Sequence, residues 1–141
     1  MLRQKQYFEA LVFNSPTAIV VLDNNERIVS FNPAFETLFG YAKDKIQGAS
    51  IDELITTPET AAEAVRYTEQ AMSGSVHGFG QRRRKDGTLV EVEIFGVPII
   101  VGGEKVGALG IYHDISDLTR ARREAEEASR AKSEFLANMS H

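Results

Sequence analysis

Five short segments rich in β-branched and aromatic residues, divided two and three by a helical stretch, most constrain the fold of this chain. The first two, Thr17–Leu22 and Arg27–Phe31, are joined by the turn-forming sequence Asp23-Asn24-Asn25 and predict a hairpin. The other three lie between residues 76 and 113 and are separated by glycine-containing turns. Short connections join strands that run in opposite directions, so we expect one antiparallel sheet.

The stretch between the two groups of strands carries recognisable helix boundaries. Asn32 can cap the free amides of a helix that holds Pro33 in its first turn, and Gly40 ends that helix. Short helical pieces broken by Gly48 follow, and a longer helix is expected from about Pro58 to Met72. The predicted fold class is therefore α+β, with helices on one face of a five-stranded antiparallel sheet.

The two ends of the chain are also predicted to be helical. Residues 2–13 form an amphipathic pattern that Asn14-Ser15-Pro16 ends, because proline disfavours helix in the residue before it. From Asp117 to His141 there is no glycine or proline, and alanine and charged residues dominate, which predicts a long helix. The interpretation is an N-terminal flanking helix at residues 1–13, a domain at residues 14–116 and a coiled-coil helix at residues 117–141. The seam positions alternate at spacings of three and four, with Lys132 the one polar interruption. Its apolar residues are Leu118, Ala121, Ala125, Ala128, Phe135 and Met139.

Length, charge and cysteine content exclude several classes of protein. The 141 residues suffice for one domain with a real core, and the net charge of −4 gives no overall attraction to nucleic acid or to an anionic membrane. The absence of cysteine excludes disulfides and thiol-held cofactors, and it fits a reducing cytoplasm. No apolar run approaches the roughly 20 residues that span a bilayer, and no signal peptide is recognisable. We therefore expect a cytoplasmic module, any membrane span of a longer parent protein lying outside this chain.

Several short motifs stand in a fixed order along the chain: Ser15-Pro16-Thr17-Ala18-Ile19, Asp23, Ile28, Asn32-Pro33-Ala34, Phe39-Gly40-Tyr41, Gly48, Arg84-Lys85-Asp86-Gly87 and Asp114-Ile115-Ser116. This order of elements and motifs resembles the PAS sensor family. The resemblance covers about residues 9–118. It implies the PAS fold, with an apolar interior that can hold a small molecule, and a joint at Asp114-Ile115-Ser116 that passes strain from the sheet to the following helix. The side chains of Asp114 and Ser116 can accept hydrogen bonds from the free amides of a helix, so by themselves they predict a helix cap. A cap is compatible with the role of a joint. The family usually has threonine where this chain has Ser116.

The last eleven residues, 131–141, resemble the phosphoacceptor box of histidine-kinase dimerisation helices. The resemblance implies that His141 accepts phosphate from ATP bound to the kinase catalytic domain of the parent, then passes it to a response-regulator receiver domain, within a parallel homodimer. His141 follows Met139 by two positions, about 200° around a helix, so it should project away from the seam. The family's box continues with an acidic residue and a proline, so the chain looks like a fragment of a longer sensor histidine kinase, of either the simple or the hybrid kind. No nucleotide-binding signature occurs, and the chain alone should be inactive as an enzyme.

The turn at Asp86-Gly87 determines which side chains face the core. If these two residues close a two-residue hairpin turn, Arg82 lies opposite Glu91 in a solvated charge ladder, which disfavours nucleic acid as a partner of the run Arg82–Lys85. The same register turns alternate residues of the two strands toward the apolar face. These residues are candidates for lining a ligand pocket, or they are satisfied core and rim groups: His77, Phe79, Gln81, Val92 and Ile94.

The sequence does not identify a cofactor or a ligand. Haem is disfavoured because His77 lies at the beginning of a predicted strand and not clearly on the preceding helix. Flavin that forms a cysteine adduct is excluded because the chain has no cysteine, and no metal site is expected. Gly78-Phe79-Gly80 precedes a strand rather than a helix, so it is not a phosphate loop. Three functions stay open: a ligand sensor that controls a histidine kinase, a ligand-free PAS module for protein–protein interaction with a filled core, and a sensor for another output enzyme such as a cyclic-nucleotide synthase. The box ending at His141 disfavours the last.

Overall fold

A computed structural model describes residues 2–139, except for the side chains of residues 2, 5 and 8. The chain forms an α+β domain with one five-stranded antiparallel sheet in the order β2-β1-β5-β4-β3, which confirms the predicted fold class. No helix in the described part of the chain has both the length and the apolar character needed to cross a bilayer. The elements are α1 (Leu2–Asn14), β1 (Ala18–Leu22), β2 (Ile28–Phe31), α2 (Pro33–Phe39), α3 (Lys43–Ile46), α4 (Ile51–Ile55), α5 (Ala61–Ser73), β3 (Val76–Arg83), β4 (Leu89–Val101), β5 (Glu104–Asp114) and α6 (Ser116–Met139).

The core lies between the inner face of the sheet and the helices α2, α4 and α5. Phe35 and Phe39 of α2 are fully buried, with ring centroids 4.8 Å apart, and the ring of Tyr112 on β5 meets Phe39 edge-on at 5.6 Å. Burial of such a side chain stabilises the fold by about 1.5–3 kcal/mol. The strand residues of this core are Ala18, Val20, Leu22, Ile28, Val90, Val92, Ile94 and Tyr112.

Asn32 connects three elements through one buried side chain. Its Oδ1 accepts hydrogen bonds from the backbone N–H groups of Ile19 (2.9 Å) and Phe35 (3.1 Å), the second of which caps α2 as the sequence predicts. Its Nδ2 donates to the carbonyl oxygens of Val12 and Thr17, both at 2.9 Å. The amide therefore holds α1, β1 and α2 together, because its two polar atoms between them bond to all three elements.

The connection between β3 and β4 differs from the predicted two-residue turn. The N–H of Arg84 donates to the carbonyl of Thr88 at 2.8 Å, so three residues, Lys85, Asp86 and Gly87, separate this pair. Gly87 has a φ of 90°, and Asp86 Oδ1 accepts from the N–H of Thr88 at 2.9 Å, which stabilises the longer loop. The prediction of a two-residue turn is therefore wrong. One extra loop residue shifts the pairing by one position, so β3 turns its other set of side chains toward the inner face that Val90, Val92 and Ile94 of β4 share.

Candidate functional site

Three of the five predicted pocket residues lie on the outer face of the sheet. His77, Phe79 and Gln81 pair with residues of β4 that also face outward, and the Phe79 side chain is 58% exposed. His77 Nε2 lies 2.7 Å from Glu93 Oε2, and its ring stacks on Phe95 with a centroid distance of 4.4 Å. The prediction that these three residues face the core is wrong, because it depended on the two-residue turn.

The other two predicted pocket residues, Val92 and Ile94, do face the core and are buried. The corrected register brings Arg82 opposite Val90 on this inner face, where its residue is 1% exposed. The solvated ladder between Arg82 and Glu91 that the sequence suggested is therefore wrong as well. A guanidinium is almost never buried without partners, so the contacts of Arg82 are the central feature of this face.

Arg82 is held by one charged and one neutral acceptor. Its Nη1 lies 3.2 Å from Glu63 Oε1 on α5 and donates to the carbonyl of Gln81 at 2.7 Å. The guanidinium carbon lies 5.9 Å above the centre of the Tyr67 ring, which adds a cation–π contact. Within residues 2–139, however, the buried Nε of Arg82 has no hydrogen-bond acceptor. The site therefore contains an unsatisfied buried donor.

Two glycines on the inner face of β3 make room for this arrangement. A Cβ at Gly80 would collide with Oε1 of Glu63, and a Cβ at Gly78 would collide with the hydroxyl of Tyr67. Side chains of α5 therefore lie directly across β3. The alternation of glycines in Gly78-Phe79-Gly80, two positions apart on one face, is the sequence signal that could have located this site.

Two further ionisable groups surround Arg82. Burial raises the pKa of Asp52 above its ordinary value, and the hydrogen bond from Thr68 Oγ1 (2.9 Å) and the charge of Arg82 partly offset that effect. Burial raises the pKa of Tyr112 to about 12, with Arg82 acting in the opposite direction. The inner face of the sheet therefore carries buried Arg82, the partly exposed carboxyl groups of Asp52 and Glu63 close to it, and buried Tyr112, which stays neutral.

A small cavity adjoins Arg82 between the sheet and α5. Its volume is about 30 Å³, and Tyr67, Thr68, Ile94 and Tyr112 are among its lining residues. A water molecule needs about 10–15 Å³ measured in this way, whereas sites for cofactors and drug-sized ligands have roughly 300–1,000 Å³. Side chains therefore fill most of the interior, and haem or flavin would not fit this arrangement.

A larger groove of about 700 Å³ opens on the surface near the end of β5. Its charged groups already contact one another, since Arg84 Nη2 lies 3.9 Å from Asp114 Oδ2 and Arg84 Nε donates to the carbonyl of Leu38 at 3.2 Å. The internal cavity beside Arg82 is the better candidate for a ligand site, because it lies between the sheet and α5 and is lined mainly by apolar groups.

The predicted signal joint lies where the sheet passes into α6. Asp114 Oδ1 accepts from the N–H of Ser116 at 2.9 Å, as a helix cap does. The N–H of the intervening Ile115 donates to the carbonyl of Glu91 on β4 at 3.0 Å. Farther along α6, Arg123 Nη2 lies 3.1 Å from Glu91 Oε1. The sequence analysis did not predict the contact between Glu91 and Arg123, because residues 32 positions apart give no local signal that they meet.

The described part of α6 leaves its predicted seam in solvent. Leu118, Phe135 and Met139 are 68%, 62% and 68% exposed, and no residue of α6 is buried. His141, the predicted phosphoacceptor, lies outside the described residues. Its role remains a prediction from the box that contains it.

A model of the PAS fold family matches residues 6–115 of the chain, the region that contains the sheet, the internal cavity and most of the joint. The chain belongs to the PAS family. Its curated relatives include much longer signalling proteins, so this PAS domain spans less than one fifth of each relative cited here.

One of these relatives is a histidine kinase by name, and another is a two-component system protein by name. The PAS domain is 30% identical to the cell-division control histidine kinase PdhS of Brucella ovis, over 98% of this chain and 15% of that protein. It is 29% identical to two-component system protein A of Emericella nidulans, over 88% of this chain and 19% of that protein. The oxygen sensor protein DosP of Escherichia coli is 30% identical, over 78% of this chain and 14% of that protein. The domain is thus related to the sensor regions of histidine kinases.

Solved structures agree on the fold. A PAS domain from Colwellia psychrerythraea is 29% identical and superimposes with a TM-score of 0.71, covering 82% of this chain and 98% of that chain. The PAS domain of an HTR-like protein from Haloarcula marismortui is 28% identical with a TM-score of 0.63, covering 81% and 93% of the two chains.

Proposed function

We propose that this chain is the signal-sensing and dimerisation module of a cytoplasmic two-component sensor histidine kinase. Residues 14–116 sense, and residues 117–141 form a coiled-coil linker and the start of the dimerisation helix. The module controls ATP-dependent autophosphorylation of His141 and phosphotransfer to a response regulator. One structural observation supports control most directly. Strand β4 lines the core with Val92 and Ile94 on one face, and through Glu91 on the other face it holds α6.

The route from the core to the helix follows from strand geometry. Successive side chains of a strand point to opposite faces, so a displacement of Val90 or Val92 also displaces Glu91 between them. Glu91 contacts α6 through both its carbonyl and its carboxylate, so α6 would tilt or rotate with the strand. A ligand changes the activity of the kinase only if its affinity for the domain differs between the displaced and the undisplaced position of β4.

Phosphorylation of His141 uses the neutral imidazole as nucleophile. A ring nitrogen attacks the γ-phosphorus of ATP held by the catalytic domain of the parent, the N–P bond forms, and the bond to the leaving ADP oxygen breaks. At physiological pH a solvent-exposed imidazole is mostly neutral, which favours this role. The phosphoryl group then passes to a carboxylate of the receiver domain.

Dimerisation places two such modules in register. Tyr7, Leu11 and Phe13 of α1 are exposed, as are the seam residues of α6 described above. Apolar stripes at both ends of one domain favour a parallel homodimer, since such an arrangement covers both stripes in the same complex.

The decisive experiment replaces His141 by glutamine in the full-length parent. Glutamine keeps similar bulk and polarity but lacks the nucleophilic ring nitrogen, so acid-labile, base-stable phosphate from labelled ATP should disappear. Ser140→Ala serves as the matched neighbour and should keep the label. The 141-residue chain should take up label only when a matching kinase domain and ATP are added. Wild-type labelling of the His141→Gln parent would disprove the phosphoacceptor assignment.

A second candidate is a ligand-free PAS module that serves only protein–protein interaction. The small volume of the internal cavity, about 30 Å³, favours it. The two candidates differ in a measurable way, because a sensor must bind a molecule in its core and an interaction module need not.

A further inference from the structure

We propose that the free edge of β3 pairs with the same edge of a second copy of this chain. The two strands run antiparallel, with the two Phe79 residues opposite each other, so that the two sheets join into one. This contact lies outside the seam of α6 and outside the internal cavity, and it does not depend on the proposed sensing role.

The first argument is the direction of the backbone groups of β3, which lies at an edge of the sheet beside β4. The N–H of Arg84 donates to the carbonyl of Thr88, which continues the register of β3 against β4. In an antiparallel pair the hydrogen-bonded positions recur at every second residue, so the even-numbered residues of β3 bond to β4. The N–H and C=O groups of His77, Phe79 and Gln81 therefore point away from β4.

These outward backbone groups are almost unused. Within residues 2–139, the carbonyl of Gln81 alone among them has a partner, Nη1 of Arg82 at 2.7 Å, and a carbonyl oxygen can accept a second bond. No proline, lysine or acidic residue protects positions 77–81, and Phe79 on the outer face is 58% exposed. An unprotected edge of this kind is a template for another strand.

The free stretch of the edge determines the register of the pair. Arg83 Nε donates to the carbonyl of Thr56 at 2.8 Å, so the connection between α4 and α5 covers that end of β3 and leaves residues 77–81 free. A second strand that uses every outward N–H of this stretch must place His77 opposite Gln81 and the two Phe79 residues opposite each other. The central pair then exchanges two hydrogen bonds, and so does each flanking pair.

Side chains on the inner face favour the same register. The carboxylate of Glu63 lies over Gly80, and the hydroxyl of Tyr67 lies over Gly78, where it forms no hydrogen bond within the described residues. In the pair centred on Phe79, Gly78 of one copy lies opposite Gly80 of the other, so each Tyr67 hydroxyl can donate to a Glu63 carboxylate across the two-fold axis. A pair centred on Gly80 would bring the two carboxylates together, which is unfavourable.

The test uses single cysteines, because the chain has none of its own. Isotope-labelled His77→Cys is mixed with unlabelled Gln81→Cys, and a short bis-maleimide joins cysteines that lie close together. Mass spectrometry then separates mixed from like cross-linked dimers. The mixed dimers should exceed the like dimers by about fivefold or more, because like positions are four residues out of register, about 14 Å along the strand.

Phe79→Pro, introduced into both cysteine variants, tests the backbone hydrogen bonds. It removes an N–H that faces away from β4, so the β3–β4 ladder stays intact and the chain should still melt cooperatively. The mixed cross-link should disappear. Phe79→Thr is the matched control, since it also lacks the aromatic ring but keeps the N–H, and it should retain the mixed cross-link.

Three results would overturn the proposal. Like cross-linking of His77→Cys at the level of the mixture would indicate packing of the outer faces instead of the edges. Mixed cross-links that survive Phe79→Pro would show that the edges do not bond. No mixed cross-link in the cooperatively melting cysteine variants would exclude a second copy as the occupant. Each of these results leaves phosphorylation of His141 in the parent untouched, so it is distinguishable from failure of the proposed function.

Discussion

Arg123 on α6 reaches back to Glu91 on β4, with 3.1 Å between Nη2 and Oε1. The pair joins residues 32 positions apart across the boundary between the sheet and the helix that leads to His141. The same glutamate accepts a backbone hydrogen bond from Ile115, so α6 is attached to β4 at two points about two turns apart.

Arg123→Ala should therefore loosen the beginning of α6 without unfolding the domain. An exposed ion pair contributes about 0–1 kcal/mol, so the melting temperature should change little. Amide hydrogen exchange across residues 115–123 should become faster, because one of the two attachments is lost. Arg122→Ala is the control, since Arg122 pairs with Glu126 inside α6 at 3.1 Å. Equal exchange rates in the two variants would show that the pair does not hold the helix.

Gly87→Val should destabilise the domain by about 1–3 kcal/mol, because a β-branched residue resists positive φ. The loop is longer than the sequence predicts, but Gly87 still has a φ of 90°. Gly74→Ala is the matched control: its backbone is extended, with a φ of −176°, and a Cβ there meets no atom within 4 Å. Urea denaturation measures both variants. A Gly87→Val midpoint equal to that of Gly74→Ala would contradict the loop geometry.

Tyr112 should make stability fall in alkaline solution. Burial raises its pKa to about 12 from the ordinary value of 10.0, so the folded state keeps a proton that the unfolded state loses above about pH 10. The contribution is fully present below pH 10 and is lost as the pH rises toward 12, and it amounts to about 2–3 kcal/mol. Tyr112→Phe should not show this part of the decline. Absorbance at 295 nm should show one late-titrating tyrosine in the wild type; simultaneous titration of all four tyrosines in folded protein would refute the prediction.

The chain should sediment as a dimer at micromolar concentration through α1 and the seam of α6. Ala128→Glu places a charge on the seam and should shift the equilibrium toward monomer, whereas Ser129→Glu, one position outside the seam, should not. Truncation at Thr119 removes every seam residue after Leu118 and should weaken association further. A strict monomer that is unaffected by truncation would show that the exposed apolar residues of α6 do not pair with a second copy.

The sequence alone predicts the elements and their order, because their signals are local. Asn32 and Pro33 begin α2, Gly40 ends it with a φ of 80°, and the lack of glycine and proline after Asp117 predicts α6. Val92 and Ile94 were correctly expected in the core, since their alternation is visible in the chain itself.

Only the tertiary structure decides the register of β3 against β4, and with it the site. A turn at Asp86-Gly87 is compatible with a loop of two or three residues, and the choice depends on distant contacts. The N–H of Lys85 donates to the carbonyl of Phe39 at 2.8 Å, and Arg84 Nε donates to Leu38, so the loop is fixed against the end of α2. A shift of one residue then puts Arg82 inside and His77 outside, because strand side chains alternate between faces.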